Sequence, residues 1–175
     1  MTQQIITYED DYRSGGLAKL CAMQSTYYAH EWGFDHRYEA VVSAGMSAFL
    51  LRYDPAKDLI VLAICDNDVV GGIVIDCGPE GERSACLHWF FVSDKIRGHG
   101  VGFALIKKAM DFVRKTKIEK VFLSTFSGLN TARSLYEKFG FRLVEESEKS
   151  TWGKSVMEQR FEFDAAMYDE YSGTG

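Results

Sequence analysis

Much that would point to other protein classes is missing from this chain. Its four cysteines, Cys21, Cys65, Cys77 and Cys86, form no C-x-x-C pair and fall at no metal-ligand spacing, so neither a metal site nor a redox dithiol is expected. Three of them lie in apolar runs, where a free thiol packs as a small hydrophobe. Basic residues are not in excess. The 20 Lys and Arg stand against 25 Asp and Glu, and a net charge of −5 argues against a nucleic-acid partner, which needs a basic stripe. No apolar run approaches membrane-spanning length, and no charged-then-apolar leader opens the chain. There are no repeats and no low-complexity segment. A reduced, soluble, cytoplasmic protein without membrane or metal partners is expected.

What remains is an ordinary globular composition, 46% hydrophobic and 26% charged over 175 residues. That length suits one domain, expected over residues 1–163, with a polar tail at 164–175 that carries a short helix. Gln4–Thr7 reads as a short first strand. Leu17, Leu20, Cys21, Tyr27 and Tyr28 then share a helical stripe, and Glu31 continues it, a carboxylate that either walls a cleft or ends the helix at the surface. After a turn at Gly33–Asp35, Tyr38, Val41, Val42, Met46, Phe49 and Tyr53 mark a second helix, ended by Asp54-Pro55.

Leu59–Cys65 and Val69–Cys77 make a hairpin around Asp66-Asn67-Asp68. A turn at Gly78–Gly81 leads to Ala85–Val92, apolar on both faces except at His88, as a central strand would be. Helical spacing returns from Leu105 to Val113, followed by a buried strand at Val121–Phe126. A helix at Asn130–Phe139 is stopped by Gly140. Strands at Phe141–Glu146 and Ser155–Phe163, joined through Trp152-Gly153, complete an α/β domain with a mixed sheet.

The most telling stretch is Arg97-Gly98-His99-Gly100-Val101-Gly102, between the apolar strand and the helix of Leu105. Glycines let a backbone approach a ligand closely. The first amides of a helix lack intrahelical acceptors and favour negative charge. The spacing is wrong for G-x-G-x-x-G, and no Gly-Lys-Ser/Thr follows, so neither a dinucleotide fingerprint nor a P-loop is present.

The loop, read as Arg97-x-x-Gly100-x-Gly102, resembles the [RQ]-x-x-G-x-[GA] signature of the GNAT N-acetyltransferase superfamily. Asn130-x-Ala132-x-x-x-x-Tyr136-x-x-x-Gly140-Phe141 is similar to that family's second hallmark, with its alanine one position early. Tyr28–Phe34 and Ser150–Lys154 look like the acetyltransferase half of bacterial winged-helix regulator fusions. The resemblance implies the GNAT fold: a central, mixed, mostly antiparallel sheet of about seven strands flanked by about four helices. It also implies acetyl-CoA (coenzyme A) as co-substrate, a small-molecule or peptide amine as acceptor, and the homodimers common in that family.

For the site residues, the resemblance implies a pyrophosphate held by Arg97 and the amides of Gly98, His99, Gly100, Val101 and Gly102. The thioester carbonyl would meet a backbone amide within Phe90, Phe91 and Val92. Tyr136 takes the general-acid position beside the cofactor, and a phenol of pKa ~10 suits a leaving thiolate near ~8.5. It also lies on the apolar stripe, where core packing alone would explain it. Asn130 either contacts the cofactor arm or caps its helix. The base is either His88, which a satisfied core histidine would equally explain, or Glu31. Tyr27, Glu31 and Trp32 would form an aromatic-plus-acid wall for a cationic amine. The competing expectation is a non-catalytic acyl-CoA-binding or sensing module.

Overall fold

The computed structural model describes residues 5–78 and 83–167. In chain order the elements are β1 (Ile6–Glu9), α1 (Gly16–Trp32), α2 (His36–Leu50), β2 (Leu59–Cys65), β3 (Asp68–Asp76) and β4 (Ser84–Val92). Then come α3 (Val101–Lys115), β5 (Lys120–Phe126), α4 (Asn130–Lys138), β6 (Arg142–Lys149) and β7 (Val156–Asp164), with one 3₁₀ turn at Asp94–Ile96. Residue 4, turn residues 79–81 and tail residues 168–175 lie outside the described residues. Ala165–Met167 form a helical turn. No described helix is long and apolar enough to cross a membrane.

Local chemistry sets the boundaries. Gly15 and Gly33, both left-handed at φ 75° and 69°, bracket α1. Asp35 caps α2 by accepting from the Arg37 amide at 2.9 Å. Asp66 and Asn67 at φ 49° and 63° close the β2–β3 hairpin, the double positive φ that a tight hairpin of this hand requires.

The strands form one mixed, seven-stranded sheet in the order β1-β2-β3-β4-β5-β7-β6, in keeping with the strand count expected from the sequence. Every neighbouring pair is antiparallel except β4 with β5. α1 and α2 cover one face through Leu20, Tyr28, Tyr38 and Phe49. α3 and α4 cover the other through Leu105, Met110 and Tyr136, packed on Val121, Phe161 and Phe163.

The parallel pair is short. Ser84–Cys86 pair with Lys120–Phe122 and the register ends there, although β4 runs on to Val92 and β5 to Phe126. Beyond Cys86 the two strands part. β4 therefore departs from the doubly buried strand its sequence suggests: His88, Trp89 and Phe90 are only half-buried, and of the three Phe90 faces the opening. Trp89 sits at φ 51° where the β3–β4 register slips between Gly72 and Val74, a bulge that bends the strand away. Its ring is seated on α2, 5.8 Å from Phe49. Val41 also departs from its expected place and is exposed.

Candidate active site

The gap between β4 and β5 opens a cleft of about 800 Å³ through the sheet. At its mouth stands the glycine loop. Gly98 and Gly100 have φ of 84° and 75°, so the loop's shape depends on residues without Cβ. Gly100 caps α3 without any side-chain bond, and the first intrahelical bond runs from Ala104 to Gly100. The amides of Val101, Gly102 and Phe103 thus have no helical acceptor and suit an anion. A Cβ on Gly102 would stand 3.3 Å from both Leu135 and Phe90, so glycine there lets α3 close onto α4 and β4.

The opposite lip is the N-terminus of α4. Leu129 precedes it without a side-chain cap, and Gly128 through Ala132 line the cleft. Asn130 is therefore the first helical residue, on the cleft wall, rather than the cap. Two uncapped helix ends converge on one hollow. The β5-facing edge of β4 beyond Cys86, without a strand partner, is where an extended arm would pair.

Arg97 bridges the loop to α1. Its guanidinium donates to the Tyr27 hydroxyl at 2.8 Å and lies 4.4 Å over that ring, while Nε donates to the Val92 carbonyl at 3.3 Å. Phe90, Phe91, Val92 and Arg97 line the cleft, as do Gly98, Gly100, Val101 and Gly102, with Asn130 on the far lip and Tyr27 and Trp32 at the inner end. His99 does not: its Nδ1 folds back to 3.1 Å from the Ile96 carbonyl.

Tyr136 is enclosed behind the wall, its ring 5.9 Å from Phe90 and 6.0 Å from Phe161. Burial, with a smaller contribution from Tyr28, pushes its phenol above the ordinary range and keeps it protonated.

His88 lies on β4 on the α1/α2 face, stacked on Trp89 with ring centroids 4.9 Å apart. Its Nε2 is 3.9 Å from Asp76, whose carboxylate is gripped by Arg52, one bond being 2.7 Å. Burial alone would raise Asp76. The Arg52 hydrogen bonds, the Gly78 amide and the charges of Arg52 and His88 outweigh it and hold the carboxyl below its usual range.

Glu31 is not on a buried stripe. The stripe of α1 ends at Tyr28, and Glu31 is exposed beside His30 at 2.8 Å. It lines an adjoining hollow of about 660 Å³ that shares Tyr27, Phe91 and Ile96 with the cleft and is also bordered by Asp66, Asp68 and Asp94. At this turn of α1 it is Trp32, 4.8 Å from Phe126, that meets the sheet, and Glu31 borders the hollow. Among the described residues no three His, Cys, Asp or Glu side chains converge as a metal site would.

An aromatic cluster at the inner end of the cleft went unread in the sequence. Phe126 ends β5 with its ring 4.8 Å from Trp32, 5.2 Å from Phe34, 5.4 Å from Trp152 and 5.6 Å from Tyr28. Two segments distant in the chain meet here: Asp35 donates its amide to the Trp152 carbonyl at 3.3 Å, and Lys154 donates to the Trp32 carbonyl at 2.9 Å. Gly153 is required at that meeting, since a Cβ there would collide with the Asp35 carboxylate.

The site is thus a parallel pair that splits beside a helix N-terminus whose first amides lack intrahelical acceptors. The sequence profile of the Acetyltransferase (GNAT) family matches residues 19–141, and the chain belongs to that family. N-acetylaspartate synthetase of Danio rerio is 30% identical over 108 residues, 62% of this chain and 37% of that protein. The chain spans less than two fifths of each curated relative it matches, 37% to 39% of their lengths. A GNAT-family acetyltransferase structure from Staphylococcus aureus Mu50 superposes with a TM-score of 0.70 at 19% identity, covering 91% of this chain and 99% of that one. A Bacillus anthracis acetyltransferase crystallised with acetyl coenzyme A superposes with a TM-score of 0.52 at 22% identity, covering 62% of each chain.

Proposed function

We propose that this chain is an acetyl-CoA-dependent N-acetyltransferase that moves the acetyl group to a primary amine of a small molecule or peptide by direct attack in a ternary complex. The carrying observation is the parting of β4 from β5 beside the uncapped N-terminus of α3. In this reading Arg97 and the amides from Gly98 to Gly102 hold the pyrophosphate. The exposed edge of β4 pairs with the pantetheine arm, and an amide within Phe90–Val92 donates to the thioester oxygen where negative charge develops. His88, on the sheet face opposite α3 and α4, relieves the incoming ammonium of its proton. Glu31, out on the other hollow, is assigned no proton transfer.

Tyr136 donates the proton to the departing thiolate. Its burial supports this role by keeping the phenol neutral, and on α4 it directly follows Leu135, which lines the cleft wall. Since a thiolate of conjugate-acid pKa ~8.5 leaves readily, Tyr136→Phe should lower turnover about tenfold, below the usual range for a general acid. The dissociation constant for acetyl-CoA should not change. If turnover and binding fall together, the residue is structural.

Titration calorimetry with acetyl-CoA tests the donor, and absence of binding at high micromolar concentration would overturn the reading. The enclosure of Tyr136 favours one second reading, a module that binds acyl-CoA without turnover. Thiol release from acetyl-CoA over a panel of amines separates the two: release establishes the transferase, and binding without release establishes the module.

A further inference from the structure

Arg97 meets the cleft with its charge intact. Among the described residues it pairs with no carboxylate. Its side-chain hydrogen bonds go to neutral oxygens, the Tyr27 hydroxyl at 2.8 Å and the Val92 carbonyl at 3.3 Å. They use one Nη1 hydrogen and the Nε hydrogen, which leaves three of the five guanidinium N–H groups for a ligand. A carboxylate in place of Tyr27 would hold the side chain too, but it would cancel the charge toward an incoming anion. A phenol holds the arginine and leaves its charge available.

Tyr27 is itself fixed from the core. Its ring meets those of Tyr28 and Phe91 edge to face, with centroids 5.2 Å and 5.6 Å away. Both of these are buried in the cluster under α1 and α2. The Arg97 guanidinium then lies 4.4 Å over the Tyr27 ring and 6.0 Å from that of Phe91. Support thus runs outward from the core, Tyr28 and Phe91 holding Tyr27, and Tyr27 holding Arg97. Arg97 is exposed, and an exposed arginine without such support samples many rotamers that binding must restrict.

We propose that Tyr27 is the positioning residue of the donor site. It holds Arg97 in place for the coenzyme A pyrophosphate before the cofactor arrives, through its hydroxyl and its ring together. A wall for a cationic amine, the expectation from the sequence, is a different task, and the cation that Tyr27 carries is Arg97's own. The inference rests on the assignment of Arg97 to the pyrophosphate in the reading above.

The test is a double-mutant cycle on the full chain, read by calorimetry with acetyl-CoA, with a thermal melt to show that each variant is folded. Tyr27→Phe keeps the ring and removes the hydroxyl. It should weaken acetyl-CoA binding about threefold to tenfold, the cost of ordering one long side chain on binding. Tyr27→Leu, which also removes the ring face, should weaken it further. Arg97→Met should weaken it at least as much as either. In the Arg97→Met background Tyr27→Phe should have no further effect, because Tyr27 acts through Arg97. Unchanged affinity in Tyr27→Phe, or the same loss with and without Arg97, overturns the proposal and leaves the donor assignment standing. Absence of acetyl-CoA binding by the parent chain overturns both. A non-additive cycle without thiol release over the amine panel would uphold the role of Tyr27 and overturn the transferase reading alone.

Discussion

Gly100→Val should weaken acetyl-CoA binding at least a hundredfold while leaving the protein folded. Gly100 caps α3 at φ 75°, a conformation that a β-branched residue adopts only under strain. The strain costs about 1–2 kcal/mol, which lowers the melting temperature by roughly 2–8 °C in a domain of this size. Among the described residues, apart from Gly100's two chain neighbours, none lies within 4 Å of a Cβ at this position, so the side chain starts out in open space. It projects into the space in front of the helix end. There it keeps a pyrophosphate from the amides of Val101 and Gly102, each such charge-assisted bond contributing about 1.5–3 kcal/mol. Loss of two gives a factor of at least ~10² in the dissociation constant. Calorimetry reads the binding and a thermal melt reads the folding. A variant that binds acetyl-CoA as tightly as the parent would remove the loop from the site.

The contrast between this loop and the rest of the site explains what a sequence reading reaches. Gly98, Gly100 and Gly102 act through their own backbones and the helix that follows, so their meaning is local. The same holds for the helix from Asn130, whose N-terminus and Gly140 stop are short-range features. Glu31 shows the opposite case. Helical arithmetic extends the stripe to Glu31, but at that turn Trp32 meets Phe126 of β5 while Glu31 borders an open hollow, and both surroundings come from residues far away in the chain. Tyr27 reads as part of a wall for an amine until the fold lays Arg97 over its ring. The Trp32–Phe34–Phe126–Trp152 cluster is assembled from three separate segments. Of these contributions, the paired motifs at 28–34 and 150–154 carried the one available signal, without saying that they touch.

The same burial that keeps Tyr136 protonated predicts how the whole domain fails in alkali. Tyr28, Tyr38 and Tyr136 are each enclosed, and burial first, then neighbouring tyrosines, raises all three phenols above their ordinary range. In the unfolded chain they ionise near ~10. Above that pH the unfolded state has lost protons that the folded state still holds, so stability falls as pH rises. Below it both states are protonated and these groups leave stability flat. Each tyrosine contributes a slope of about 1.4 kcal/mol per pH unit, and three together about 4. Two units above pH ~10 would therefore remove about 8 kcal/mol, comparable with the whole stability of a typical domain at 5–15 kcal/mol. Urea midpoints followed by circular dichroism should slip slightly from about pH 9, since burial holds the Cys77 thiol up to about 11, and then drop steeply above pH ~10. Tyr38→Phe, which removes a hydroxyl bonded to Gln24 at 3.2 Å, should reduce that slope by about a third. An unchanged slope in that variant would mean that the Tyr38 hydroxyl is solvated in the native state. In the proposed mechanism the consequence is direct: a phenol that does not ionise below pH ~10 is available as proton donor across the physiological range. Any fall in turnover on the acid side then belongs to the amine or to His88, and Tyr136→Phe should leave that limb where it is.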